Sequence, residues 1–270
     1  MWGVFSGTIV NTIAVAAGSL VGLSVGARLP ARYQQIVLTA LGLVTLTLGM
    51  DAAVLRFADT VSQYAPKVGA GSTYGARVAM VMITALVVGA LIGTALRLHE
   101  RTEALGDWIH GRFSRGGGDA DGGKTFAKGF LTASVIFCVG PLTLLGCLEN
   151  GARGDPSLLY IKSLLDAFCS LALACTLGWG VFASIATIVT FQGGLSLLAY
   201  AVAEPLDGLS LSLMTIVGGV ILLASALMML DIKKIPVANL LPGIFLPPLL
   251  VWLAEFVHPG LLLPLTTAAA

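Results

Sequence analysis

Eight nearly uninterrupted apolar stretches run through this chain, at residues 4–26, 34–50, 78–96, 130–148, 157–178, 181–203, 209–230 and 236–254. Together they leave it little polar surface with which to meet water. A hydrocarbon core about 30 Å thick is crossed by about 20 apolar residues in helical form. Only a helix or a closed barrel satisfies every backbone polar group in lipid, and stretches of this length select the helix. The sequence therefore predicts an all-α polytopic membrane protein with about eight transmembrane helices in one domain over residues 1–270. Only 11% of residues are charged and the net charge is +1, which excludes a broad basic surface and nucleic acid as a partner. The expected partners are the lipid bilayer and a small solute or ion, and a homo-oligomer is compatible with the composition.

Charge distribution sets the orientation. With the N-terminus outside, the inner connections carry Arg28 and Arg32, then Arg97, Arg101, Arg112, Arg115, Lys124 and Lys128, then Lys233 and Lys234. The outer connections carry Arg56, Lys67, Arg77 and Arg153, with Glu204 and Asp207 in an acidic turn. Both termini are then outside the cytoplasmic membrane. The scheme needs a break at Gly178, Trp179 and Gly180, since residues 157–203 otherwise form one overlong helix. The first stretch lacks a basic leader and is too long for a signal peptide, so it is read as a retained span.

Residues 97–129 form a cytoplasmic linker between the third and fourth spans and hold much of the chain's charge. Leu98, Leu105, Trp108 and Ile109, with Phe113 nearby, fall along one helical face, which suits an amphipathic helix on the inner leaflet. Gly116 to Gly118, Gly122 and Gly123 mark a flexible tip. Asp119 to Gly122 opens like a calcium loop, but Phe130 stands where the bidentate carboxylate belongs, so the segment reads as a solvated linker.

An internal repeat is legible. Residues 12–23 (TIAVAAGSLVGL) align with 187–198 (TIVTFQGGLSLL), and residues 38–46 (LTALGLVTL) with 214–222 (MTIVGGVIL), after a change of one residue in offset. A looser third match sets Gly89 opposite Gly243. Spans 1 to 3 then correspond to spans 6 to 8 in inverted topology, a construction common in secondary transporters. The alternative is coincidence among Gly-, Leu-, Val- and Thr-rich helices.

Two charged residues lie well inside any span, Lys162 and Asp166. With Asp155 as N-cap and Pro156 at the first helical position, Asp166 falls about 16 Å along the fifth helix, near the midplane. Lys162 sits one turn outward on the same face. A central charge costs about 2.5–3.5 kcal/mol on insertion scales, so it needs a partner or water. Asp166 is then either an ion or proton site, or half of a neutralised pair locking the bundle. Gln192, followed by Gly193 and Gly194, lies near the middle of span 6, and its repeat mate carries Gly18, with Asn11 about two turns earlier. These glycines either interrupt helices to line a cavity or permit close helix packing. Glu149, Asn150, Arg153 and Asp155 follow span 4, which Pro141 kinks, and form an outer entrance or an ordinary charged turn. Asn239, among Pro242, Pro247 and Pro248, marks a non-ideal last span.

No catalytic constellation is visible. The three histidines are scattered, and no metal-site spacing or phosphate loop occurs, so neither cofactor nor metal is expected and the chain does not read as an enzyme. Cys138, Cys147, Cys169 and Cys175 lie in or beside apolar stretches and read as packing residues.

The sequence resembles the bacterial integral-membrane family known as domain of unknown function 554. The resemblance rests on GTIVNTIAVAAGSLVG (7–22), ASVIFCVGPLTLLGCLENGARGDPSLLYIKSLLDAF (133–168), FQGGLSLLA (191–199) and KKIPVANLLPG (233–243). It implies a polytopic inner-membrane protein and no particular activity. The sequence thus points to a small secondary transporter or ion-conducting protein. Its pathway would run past Asn11, Gly18, Lys162, Asp166, Gln192, Gly193 and Asn239. The alternative is a membrane scaffold or sensor presenting the basic 97–129 segment to an inner partner or anionic lipid.

Overall fold

The protein is described here by a computed structural model over residues 2–25, 31–101, 104, 121–138, 141–203 and 207–264. Among these residues every regular element is helical. The chain divides into two compact units, residues 1–41 with 100–204, and residues 42–99 with 205–270.

In the first unit α1 (Trp2–Val25) runs unbroken, and the start of α2 (Ala31–Met50) follows it. After the linker come α5 (Asp121–Cys138), α6 (Pro141–Leu148) and a π-helical turn, Glu149–Arg153. Then α7 (Ser157–Leu177), the short α8 (Trp179–Ala183) and α9 (Ile185–Thr187), a second π-helical turn (Ile188–Gln192) and α10 (Gly193–Ala203) complete it. In the second unit, α2 continues through a π-helical turn (Asp51–Leu55) into α3 (Arg56–Val68). It is followed by α4 (Tyr74–Ala95), α11 (Gly208–Met229), a 3-10 segment (Val237–Phe245) and α12 (Pro247–Val257).

Among the described residues, five helical stretches are long and apolar enough to cross a membrane: Gly3–Ser24, Gly71–Ala95, Ser157–Leu177, Trp179–Ala201 and Gly208–Met229. Two bent pairs raise the number to seven if each is one span. Thr132–Cys138 meets Leu142–Arg153 at 51°, and Val237–Phe245 meets Pro247–Val257 at 43°. Both bends fall at prolines, which remove a helical donor and clash with the preceding turn. The division at Gly178 is real, with φ 70° and ψ −151°, a conformation nearly confined to glycine.

Several boundaries differ from the sequence reading. Helix α7 begins at Ser157, with Pro156 at the cap and Asp155 Oδ1 accepting from Ser157 N at 3.0 Å, one residue later than expected. Gly122 and Gly123 belong to the first turn of α5 and not to a flexible tip. Residues 56–68, read as a plain connection, form α3, ended by Gly69 with φ 66°. Leu105, Trp108, Ile109, Phe113 and Gly116 to Gly118 lie outside the described residues.

The second unit is built around α11, whose buried residues surround it on all sides. Tyr74, Val78, Leu209, Leu213, Ile216, Val251 and Leu262 form its core. The segment after α12 is clasped down. Glu255 accepts from Gly260 N, Leu262 N and Leu263 N at 2.8, 2.6 and 2.8 Å. Tyr74 Oη and Arg77 donate to Leu262 O and Leu261 O, each at 2.8 Å.

Candidate functional site

The seam between α1 and α7 determines the site. A Cβ added to Gly18 would run into Ala167 O and Ser170 Oγ, and one on Gly22 into Leu171 O, so glycine at both positions is what allows the two backbones to approach. This is the small-residue packing common between membrane helices. Gly7, one turn before Asn11, meets the Leu159 side chain at 2.5 Å by the same test. With α1 held this close, the face carrying Asn11 lies against the face carrying Lys162 and Asp166.

Asn11 is fully buried and joins two other elements. Its Nδ2 donates to Asp166 Oδ2 at 3.0 Å and to Gln192 Oε1 at 2.8 Å. Lys162 Nζ donates to the same Asp166 Oδ2, and the ion pair is almost wholly buried. Asp166 lies about 14 Å along α7, near its middle. Lys162 is 4% exposed, so its ammonium is turned inward and does not snorkel to the surface.

Amide orientation here follows from chemistry. An ionised carboxylate only accepts, so Asn11 must offer it the NH2 group, and Gln192 must then offer Asn11 its oxygen. This leaves Asn11 Oδ1 and Gln192 Nε2 buried and without a hydrogen-bond partner, one acceptor and one donor. Each such group costs about 1–3 kcal/mol. Thr8 Oγ1, one turn earlier on α1, is in the same state. Asp166 is held in an ion pair by Lys162, and the cluster has unused polar capacity for a small ligand.

Gln192 is presented by irregular backbone. It ends the π-helical turn Ile188–Gln192, and such turns are frequent at functional sites. The two glycines after it do not behave like Gly18. A Cβ on Gly193 would find no atom nearer than 3.8 Å, and one on Gly194 nothing within 4 Å. They open space, whereas Gly18 closes it.

The segment expected as an entrance is buried at Glu149 and Asn150, half-buried at Asp155 and exposed at Arg153. Glu149 pairs with Arg153 at 3.7 Å, and Asp155 N donates to Glu149 O at 3.2 Å. Asn150 Nδ2 donates to Val4 O, and Ser6 Oγ donates to Asn150 Oδ1 at 3.5 Å, which pins the π-helical turn to the start of α1. Cys147 Sγ donates to Gln192 O at 3.5 Å, linking this turn's helix to the cluster. Asn239 belongs to the other unit. Its Oδ1 accepts from His99 N at 2.8 Å and its Nδ2 donates to Thr94 Oγ1 at 3.5 Å, so there it ties the end of α4 to the residues that follow it. Among the described residues, no group of three or more His, Cys, Asp or Glu side chains is placed to hold a metal ion. Thr8 and Ser196 escaped the sequence reading, and Cys147 was read there only as a packing residue, because isolated small polar residues in apolar helices carry no spacing signal.

The residues that build this site fall within a match, over residues 6–252, to a family described as a protein of unknown function, DUF554. The chain belongs to the DUF554 family. It is 30% identical over 246 residues to the "Uncharacterized membrane protein YdfK" of Bacillus subtilis strain 168, covering 91% of this chain and 95% of the relative. It is 29% identical over 255 residues to the "Uncharacterized protein YqgA" of Escherichia coli strain K12, covering 93% and 98%. No solved structure matches. As a DUF554 member the chain is a membrane protein with several apolar helices.

Proposed function

We propose that this protein is a small secondary transporter or ion-conducting protein of the bacterial cytoplasmic membrane. Its polar site would be Asn11, Lys162, Asp166 and Gln192. The observation that carries the reading is the Asn11 amide, which bridges Asp166 on α7 and Gln192 on a π-helical turn at the centre of three apolar helices. Purely structural polar networks gain by satisfying all their members, and this one keeps an acceptor and a donor idle. Glu149 to Asp155 would form the outer end of the path and Asp166 the gate charge.

An inverted duplication of spans 1–3 and 6–8 belongs to the same proposal, with α2 as the eighth span and both termini outside. Within the second unit, Gly89 and Gly243, which the duplication aligns, meet each other directly: a Cβ on Gly89 would fall on the Gly243 backbone. Contact between equivalent residues is expected where the two-fold axis of a duplication passes.

The test is solute and ion flux into liposomes containing the purified protein or its Asp166→Asn form. Loss of flux, or of its proton dependence, supports the role of Asp166; unchanged flux with unchanged ion dependence removes Asp166 from the mechanism. The charge packed into residues 97–129 favours a second reading, a scaffold or sensor that uses this segment. Deleting the segment would then abolish the cellular phenotype while leaving flux intact.

A further inference from the structure

Residues 233–243 (KKIPVANLLPG) take no part in the Asn11–Gln192 cluster, and what they build lies at one end of the second unit. Gly93, near the end of α4, has no room for a Cβ because the Asn239 backbone lies against it. Asn239 is 7% exposed and spends its side chain on Thr94 and His99, so the segment leading to it is fastened to the turn that ends α4. Lys233 N donates to Leu227 O at 3.4 Å, which keeps Lys233 on the last turn of α11. Arg97, Lys233 and Lys234 therefore share one end of the unit. All three are exposed, and among the described residues none of them forms an ion pair. Arg97 has φ 51°, a conformation that glycine or asparagine usually supplies after a helix, so the chain keeps a guanidinium there at a backbone cost.

We infer that Arg97, Lys233 and Lys234 bind the phosphate headgroup of an anionic phospholipid, with Asn239 as the residue that positions their two segments. Within the unit these cations are accompanied at this end by one carboxylate, the exposed Asp231, so the excess positive charge calls for an anion. Two apolar side chains select a lipid over a soluble anion. Leu96 is 47% and Ile232 66% exposed, and each directly precedes a cation, Arg97 or Lys233. Where a span leaves the hydrocarbon, such a pair lays its apolar member on acyl chains and extends its charged member to the headgroups. Inorganic phosphate would neutralise the cations and leave Leu96 and Ile232 bare. Basic pockets formed between transmembrane helices at the cytoplasmic face suit anionic headgroups, and the bias of Lys and Arg along the chain assigns this end to that face. The inference holds whether or not the Asn11–Gln192 cluster moves a solute.

The test places the full chain in phosphatidylcholine vesicles with a trace of spin-labelled phosphatidylglycerol or, separately, of spin-labelled phosphatidylcholine. The motionally restricted fraction of each label is then compared. A several-fold preference for phosphatidylglycerol is expected, falling as salt screens the cations. Arg97→Gln, or Lys233→Gln with Lys234→Gln, should bring it close to one. Lys67→Gln should leave it in place, since Lys67 lies over Tyr64 beside Gly208, at the other end of α11. Asn239→Ala keeps every charge and should still weaken the preference, which a diffuse surface potential does not predict. Equal restriction of the two labels by the wild-type protein overturns the proposal, and that comparison needs no variant to fold. A preference that survives Lys233→Gln with Lys234→Gln overturns it in favour of the basic 97–129 segment. One that Lys67→Gln reduces as much as Arg97→Gln, or that Asn239→Ala leaves intact, overturns it in favour of diffuse charge. Abolition by millimolar inorganic phosphate at constant ionic strength overturns it in favour of a soluble anion.

Discussion

Asn11 Nδ2 lies 2.8 Å from Gln192 Oε1 and 3.0 Å from Asp166 Oδ2, so one buried amide holds α1 and the π-helical turn Ile188–Gln192 to α7. Removing it should therefore affect two partners at once. Asn11→Leu and Gln192→Leu are each expected to lower stability by about 1–3 kcal/mol, because each strands the other's polar group. Their double variant should fall short of the sum by about 0.5–3 kcal/mol, as contacting residues do. Denaturant unfolding of the four proteins in detergent measures this. Additive effects would mean that the two amides do not interact.

The Lys162–Asp166 pair is expected to show the same asymmetry more strongly. Breaking a buried pair from one side costs about 3–5 kcal/mol, since an uncompensated charge remains, whereas apolar replacement of both partners is often neutral. Lys162→Met alone should destabilise the protein more than Lys162→Met combined with Asp166→Leu. Thermal unfolding of the singles and the double decides it. If the double also restored flux, the pair would serve only the fold.

Glycines that look alike in sequence should behave in opposite ways. Gly18→Ala drives a methyl into Ala167 O and must separate α1 from α7. Gly194→Ala enters open space and gains about 1 kcal/mol of helix propensity. Melting temperature should fall for Gly18→Ala and hold or rise for Gly194→Ala. A matched loss at both positions would contradict the open space beside Gly194.

Gly178→Ala is expected to destabilise by about 1–3 kcal/mol although no neighbour stands within 4 Å, because the cost lies in the backbone conformation itself. Pairing it with Gly154→Ala, also at positive φ in open space but in the milder left-handed region (φ 70°, ψ 16°), separates the two effects. The first should cost more. Equal losses in unfolding free energy would discount the backbone argument.

Glu255→Gln should loosen the segment after α12. Three backbone amides share that carboxylate, and a neutral amide accepts through one oxygen only. Limited proteolysis should cut residues 258–264 faster in the variant. Unchanged cleavage would show that the Tyr74 and Arg77 bonds hold the segment by themselves.

Much of this arrangement was legible in advance, and the exceptions have physical reasons. Apolar length gave most of the helices, because lipid tolerates few alternatives, and the rarity of charge singled out Lys162 and Asp166. Asn11 and Gln192 were noted separately, but nothing in their spacing said that one would donate to the other, since that contact depends on how closely α1 approaches α7. Composition also could not separate Gly18 from Gly194. One faces a carbonyl and the other faces space, and only the neighbouring helix determines which. Asn239 was grouped with the cluster because it is a polar residue in a broken span, whereas its side chain is spent on the end of α4.

A single residue, Gly178, separates α7 from α8. So short a turn contains no polar stretch to be carried over the bilayer and no basic flank to fix either helix's direction during synthesis. The two helices must therefore enter the membrane together as a hairpin. Lys162 and Asp166 lie one turn apart on the first arm of that hairpin, so their salt bridge forms within a single helix and does not wait for α1 to bring Asn11 against it.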